Sequence, residues 1–235
     1  MRFVYLISLF LLVQVAQAEG LVIRSSVPEE FPNGLYAKYM QYLADKMNMQ
    51  LEIIPMPFAR RIKSMRTGKI DILVGLQTYK EEPGEIIYLN PSYESLRHTF
   101  FVAQKDKHKL KHFDDIQEMV IGVTINATYF TRFNQLENLV MVPVSTLNQK
   151  IGLLNKGRID TFIHFQESTL PTLKKMGLED EIVIADFQTT ERNEYYFTIS
   201  KHSPLMPYLE QFEAVIAAAV SEGDFKRIRQ QHYAD

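Results

Sequence analysis

The sequence has no cysteine and no tryptophan among its 235 residues. Without cysteine, disulfides, thiolate metal sites and lipid attachment at a processed N-terminal cysteine are all excluded. The fold must rest on its core, which a 46% apolar composition can supply. Without tryptophan, the aromatic surface for stacking a ligand falls to 15 Phe and 12 Tyr. An excess of either charge is also missing, with 26 Lys and Arg against 28 Asp and Glu. That balance argues against nucleic acid or an anionic membrane as partner. Enzyme signatures are scarce: there is no Gly-x-Ser-x-Gly elbow, P-loop or dinucleotide fingerprint. The six histidines are scattered, and the one i,i+4 pair, His108 and His112, lies in a lysine-rich stretch without the acidic partner of the zinc motifs. No metal or cofactor is expected.

Long apolar runs are confined to the N-terminus. Phe3 to Val15 is apolar apart from Ser8 and Gln14, Arg2 is the lone charge, and Ala16-Gln17-Ala18 is a small-x-small cleavage site. The run is too short for a comfortable membrane span, so residues 1–18 read as a secretory signal peptide. The mature chain is expected to begin at Glu19 and to be soluble and exported, with the periplasm as its place. It keeps 217 residues, with 25 basic against 28 acidic, a net −3, enough for one large domain or two small lobes.

What is present is a repeat. Gly68-Lys69-Ile70-Asp71-Ile72-Leu73-Val74-Gly75-Leu76-Gln77-Thr78 returns 89 positions later as Gly157-Arg158-Ile159-Asp160-Thr161-Phe162-Ile163-His164-Phe165-Gln166-Glu167. Each copy follows a helical pattern, at 59–67 and 147–156, and each glycine stands where a helix would stop. The apolar run after it reads as a buried strand. Two similar α/β lobes facing each other across a cleft are the simplest meaning. The remaining pattern agrees: strands at 21–25, 50–54, 98–103, 120–124, 139–142, 182–185 and 195–200, and helices at 35–47, 58–67, 204–219 and 225–232. Strands alternating with helices at these lengths predict mostly parallel sheets flanked by helices. We expect one discontinuous lobe from 19–101 plus 200–235 and a second from 102–199, with the crossings near Phe101 and Ile199 as a hinge.

Ligands of open parallel sheets sit beyond the carboxyl ends of the strands. The first strand delivers Ser26, and the loop after it carries Phe31 and Tyr36. The basic helix brings Phe58, Arg60 and Arg61. Adjacent helical residues diverge by ~100°, so one arginine faces the cleft. Arg60, in the first turn after the Pro55–Pro57 break, is the expected ligand arginine, and Arg61 the solvated one. The two repeat strands deliver Gln77 with Thr78, and Gln166 with Glu167. The strand ending at Thr124 feeds Asn126, Ala127 and Thr128, which are expected to open a helix whose free amides hold an anion. Asp71 and Asp160 lie at the amino ends of their strands and read as turn-stabilising carboxylates.

In this order, Pro57-Phe58-Ala59-Arg60-Arg61, Gly68-Lys69-Ile70-Asp71, Asn90-Pro91-Ser92-Tyr93, Gly157-Arg158-Ile159-Asp160 and Gly223 before Phe225 and Ile228 carry a family likeness. The mature chain resembles the type 2 periplasmic solute-binding proteins, family 3, the family of amino-acid ABC transporter substrate-binding proteins. The resemblance implies the two-lobed periplasmic binding protein type 2 fold, with Tyr93 among the ligand residues. It implies a monomer that captures a small polar or acidic solute between hinged lobes and presents it to an inner-membrane ABC permease or a sensor kinase. Three departures stand out. Where amino-acid binders carry an arginine shortly after a threonine, this chain reads Thr78-Tyr79-Lys80-Glu81-Glu82-Pro83-Gly84. Where they carry an acid for the α-amino group, it reads His164-Phe165-Gln166-Glu167. Their glycine-rich turn becomes Thr124-Ile125-Asn126-Ala127-Thr128. An ordinary polar amino acid therefore fits less well than the family name suggests. Two alternatives stay open: a dehydratase-like enzyme using Glu167 with His164, and a ligand-independent interaction domain.

Overall fold

A computed structural model describes residues 20–78 and 84–234; the expected signal peptide and cleavage site lie outside the described residues. The first half runs β1 (Val22–Ser25), α1 (Leu35–Met47), β2 (Gln50–Ile53), α2 (Phe58–Arg66), β3 (Ile72–Gln77), β4 (Ile86–Leu96) and β5 (His98–Ala103). After two short 3-10 turns come β6 (Val120–Thr124), α3 (Thr131–Asn134), β7 (Val140–Val144), α4 (Leu147–Asn155), β8 (Thr161–Phe165) and α5 (Gln166–Met176). The chain ends with β9 (Ile182–Ile184), β10 (Asn193–Ser200), α6 (Leu209–Glu222) and α7 (Asp224–Ala234).

Two five-stranded sheets result, ordered β2-β1-β3-β10-β4 and β7-β6-β8-β5-β9. Their central pairs are parallel, β1 with β2 and β3, and β6 with β7 and β8. The strand that enters each sheet from the other lobe, β10 or β5, runs antiparallel to its neighbours. The sheets are therefore mixed rather than mostly parallel. The same strands move the crossings. His98 to Phe101 pair with β8 in the second sheet, and Asn193 to Ile199 pair with β3 and β4 in the first. The sheets change hands near residues 97 and 192, several residues before the expected 101 and 199.

The repeat is realised atom for atom. The Asp71 carboxylate accepts from the Arg24 backbone N–H at 3.0 Å while the Asp71 N–H donates to the Arg24 carbonyl at 2.8 Å. In the second lobe Asp160 makes the same two bonds to Val120, both at 2.8 Å. Each carboxylate thus stitches its strand to the start of the central one. Gly68 and Gly157 take φ of 68° and 62°, the left-handed conformation that ends the preceding helix.

Each sheet has its own apolar packing. Tyr39, Leu43, Phe197, Phe212, Ile216 and Phe225 share one cluster, so α6 and α7 close over the first sheet beside α1. Phe100, Phe130 and Ile163 belong to a cluster on one side of the second sheet, and Phe101, Ile151 and Phe162 to another. Helix α1 shows why these residues form these elements. Leu35, Tyr39, Leu43 and Met40, Ala44 make a buried stripe, and Asn48 at φ 52° stops it by returning its N–H to the carbonyls of Ala44 and Asp45.

Candidate functional site

The carboxyl ends of both sets of parallel strands open on a cleft of about 880 Å³. Phe31, Tyr36, Phe58 and Gln77 line it from the first lobe, and Thr124, Asn126, Ala127 and Thr128 from the second. These are expected positions. The loop after β1, the start of α2 and the end of β3 converge there because parallel strands deliver their chain ends to one edge. Tyr36 lies over Gly75, where a Cβ would come within 2.5 Å of the phenol ring. Gly75 also takes φ of 92°, so a side chain is excluded there twice over.

Of the two adjacent arginines it is Arg61, not Arg60, that lines the cleft, together with Arg66 and Arg229. Helix α2 buries Arg61, Ser64 and Met65, an i, i+3, i+4 face, and Arg60 is rotated onto the exposed side. Arg61 is only 6% exposed, lines the cleft, and has its guanidinium 5.2 Å from the Phe58 ring centre. Its Nε has no acceptor, and no carboxylate pairs with it among the described residues. Burial pushes its pKa down to about 10, partly offset by Tyr36. The periodicity held this signal: Phe58, Arg61, Ile62 and Met65 form one apolar stripe with an arginine in it.

Five other expected residues are not in the cleft wall. Ser26 is fully buried and its hydroxyl donates to the Ile54 carbonyl, tying the ends of β1 and β2 together. Tyr93 is core: its ring meets Tyr39 at 5.3 Å and Phe197 at 5.1 Å. Thr78 is exposed past the end of β3. Strand β8 ends at Phe165, so Gln166 and Glu167 fall in the first turn of α5, where Glu167 is exposed and Ser168 faces the cleft instead. Helix α5 itself was not legible, since Pro171 interrupts a mostly polar stretch. Asn126 to Thr128 line the cleft as a turn, with Asn126 at φ 60° and the Ala127 N–H on the Thr124 carbonyl. No helix starts there; α3 begins at Thr131 and has four residues, so the expected helix-dipole anion site is not formed.

Behind the second wall lies a group that the sequence reading passed over. Lys150 of α4 is fully buried, its Nζ 3.1 Å from Thr124 Oγ1, 3.0 Å from the Ile163 carbonyl and 3.1 Å from His164 Nδ1. Burial brings its pKa down to about 7, with Glu30 the opposing influence. His164 and His98, both in the cleft wall, are held neutral by burial and by the nearby lysine, His98 at about 3 and His164 well below the usual range. The signal was again periodic: Leu147, Lys150, Ile151 and Leu154 are an apolar stripe with a lysine in it.

Two mixed sheets, a cleft at their strand ends and a C-terminal return onto the first sheet define a two-lobed binding protein. The chain belongs to the bacterial extracellular solute-binding proteins, family 3, whose family model matches residues 25–235. It resembles the probable amino-acid-binding protein YxeM of Bacillus subtilis, at 21% identity over 148 residues, covering 62% of this chain and 56% of that protein. The matched part thus spans little more than half the length of that relative. Among solved structures, it resembles an amino acid ABC transporter substrate-binding protein, AbpA, from Streptococcus pneumoniae bound to L-arginine. The TM-score is 0.77 at 17% identity, covering 91% of this chain and 94% of that one. The GluR0 ligand-binding core with L-glutamate superposes with TM-score 0.77 at 13% identity, covering 92% and 99%. At these identities the likeness is one of fold.

Proposed function

We propose that the protein captures a small acidic solute between its two lobes in the periplasm and presents it to a membrane permease or a sensor. The observation that carries this reading is Arg61, a buried guanidinium lining the cleft without a carboxylate partner among the described residues. A charge kept in that setting is stabilised when a ligand carboxylate supplies the missing partner, bidentately for an arginine. Membership of a solute-binding family supports capture, and the relatives bound to L-arginine and L-glutamate support a carboxylate as the gripped group. The dehydratase-like alternative loses its proposed pair, because His164 faces the cleft while Glu167 is exposed outside its lining.

The test is a thermal-shift screen of the mature protein, Glu19 onward, against carboxylate metabolites, followed by calorimetry on the hits. Arg61→Ala is expected to cost about 1.5–3 kcal/mol of affinity, the range for a hydrogen bond to a charged group. Arg60→Ala is expected to leave affinity unchanged. Equal losses in both variants would remove Arg61 from the site.

A further inference from the structure

Lys150 is a buried lysine that meets three acceptors and, among the described residues, no carboxylate. An ammonium has three N–H donors, one for each of Thr124 Oγ1, the Ile163 carbonyl and His164 Nδ1. With the lysine charged, this sets two protons in the cleft wall. Thr124 Oγ1 accepts from the lysine, so its own proton turns elsewhere, while its backbone N–H is already given to Tyr129 Oη at 2.7 Å. His164 Nδ1 accepts, so the neutral ring carries its proton on Nε2. Thr124 and His164 both line the cleft. The second lobe therefore offers a hydroxyl and an imidazole N–H, polarised by a positive charge behind them.

We propose that these two donors, backed by Lys150, form an anion site opposite Arg61, and that the solute is a dicarboxylate without an ammonium group. The proposal rests on the reading above, that a solute is held between the lobes. Charge disfavours an α-amino acid. Its ammonium sits one carbon from the carboxylate and would lie beside a cation with no acid among the described residues free to hold it. Among the described residues, the acidic ones lining the cleft are Glu29, which is exposed, and Glu30, whose oxygens take the backbone N–H groups of Leu147 and Asn148 at 2.7 and 2.8 Å. Tyr36, Phe58, Phe165 and Tyr195 also line the cleft, so an apolar or aromatic spacer between the carboxylates fits best.

A proton is linked to this site. The groups facing Lys150 are His164 of β8, His98 of β5, Glu30 from the loop after β1, and Thr124 with Tyr129 after β6. The histidines are neutral, so the lysine is the group that takes up charge. A carboxylate arriving at Thr124 favours its ammonium, and binding above neutral pH draws in a proton.

The test is calorimetry on the mature protein at pH 8, in two buffers of different ionisation enthalpy. The probes are glutarate, adipate and benzene-1,3-dicarboxylate, set against butanoate, benzoate and L-glutamate. Dicarboxylates are expected to bind about ten-fold or more tightly than the matched monocarboxylate or amino acid, with net proton uptake. Lys150→Met is expected to abolish the uptake and weaken binding about ten-fold or more. Thr124→Val, which keeps the lysine, should weaken binding similarly and stands in if the lysine variant does not fold. Tighter binding of L-glutamate than of glutarate, or unchanged affinity in Thr124→Val, overturns the second anion site and leaves solute capture intact. No binding by any carboxylate or amino acid overturns both.

Discussion

Arg61 and Lys150 are both buried cations without a carboxylate partner among the described residues, yet their chemistry parts them. The Arg61 guanidinium stays charged at neutral pH even with its pKa at about 10, whereas Lys150 at about 7 can shed its proton. An unfolded lysine titrates near ~10.4, so between about pH 7 and that value the unfolded state binds the extra proton. Stability therefore rises with pH across this window. Burial raises the tyrosines, Tyr36, Tyr93 and Tyr195 among them, so unfolded tyrosines ionise first and stability falls again above about pH 10. Urea unfolding is expected to show a climb from pH 7 to 9 that Lys150→Met flattens; a climb that survives the substitution would assign it elsewhere. Gly75 makes a second residue-scale test. At φ 92° and with the Tyr36 phenol 2.5 Å from the site of a Cβ, Gly75→Ala should cost about 1–3 kcal/mol of stability and displace Tyr36 from the cleft. A urea midpoint within error of the wild type would count against that packing. Both cations stand in apolar helical stripes, where charge has to be answered by something; the expectation of Arg60 rested on its first-turn position and left that periodicity out.

Among the elements, the loop between β1 and α1 reaches across the cleft. Phe31 packs on the second-lobe cluster that holds Leu147 and Ile151, and Glu30 accepts the N–H groups of Leu147 and Asn148. Helix α4 is thus capped from two sides. The Thr146 hydroxyl accepts from the Gln149 N–H while the Thr146 backbone N–H donates to Gln149 Oε1, and the opposite lobe supplies a carboxylate to the Leu147 and Asn148 N–H groups. Replacing an N-terminal cap costs on the order of 1 kcal/mol, so Glu30→Ala should speed hydrogen exchange at Leu147 and Asn148 about five-fold. Unchanged protection at both amides would mean that the clasp does not hold in solution. Elements with a strong stripe or a terminal glycine were legible from sequence, α1 and α4 with the helix stops at Gly68 and Gly157 among them. The turn at Asn126 was not, because an Asx residue is as suited to a left-handed turn as to a helix cap, and only the Ala127 to Thr124 bond decides between them.

For the whole molecule, the repeat carried most of the fold. Two copies of one helix–glycine–strand unit imply two lobes, and the matched carboxylate stitches at Asp71 and Asp160 show the physical reason. Where the chain crosses between lobes was hidden, since β5 and β10 are buried apolar strands that either sheet would accept. The crossings run side by side, with Leu96 paired to Asn193 and the Arg192 guanidinium donating to the Ser95 carbonyl. What joins the lobes across the cleft is part polar, Glu30 on α4 and the Asn193 amide on the Tyr129 carbonyl at 3.0 Å, and part apolar, Phe31 on the second-lobe core and Phe165 against the Tyr195 ring at 5.5 Å. Opening would expose the Phe31 and Phe165 contacts and the cleft itself, two aromatic side chains in all, so open and closed forms should lie within a few kcal/mol of each other. A solute bound by groups of both lobes then acts by selecting the closed form. Moving a population from 1:9 to 9:1 requires about 2.6 kcal/mol of differential binding, within reach of one or two charged contacts. The cysteine-free chain allows a clean measurement, with spin labels on Lys38→Cys of α1 and Lys156→Cys at the end of α4, both exposed sites. Saturating ligand should narrow the distance distribution to the short, closed value. Glu30→Gln should broaden the unliganded distribution toward longer distances, and ligand should restore the short one. A single unchanged distance in all four samples would show a rigid pair of lobes, and a solute would then have to enter a cleft that never opens.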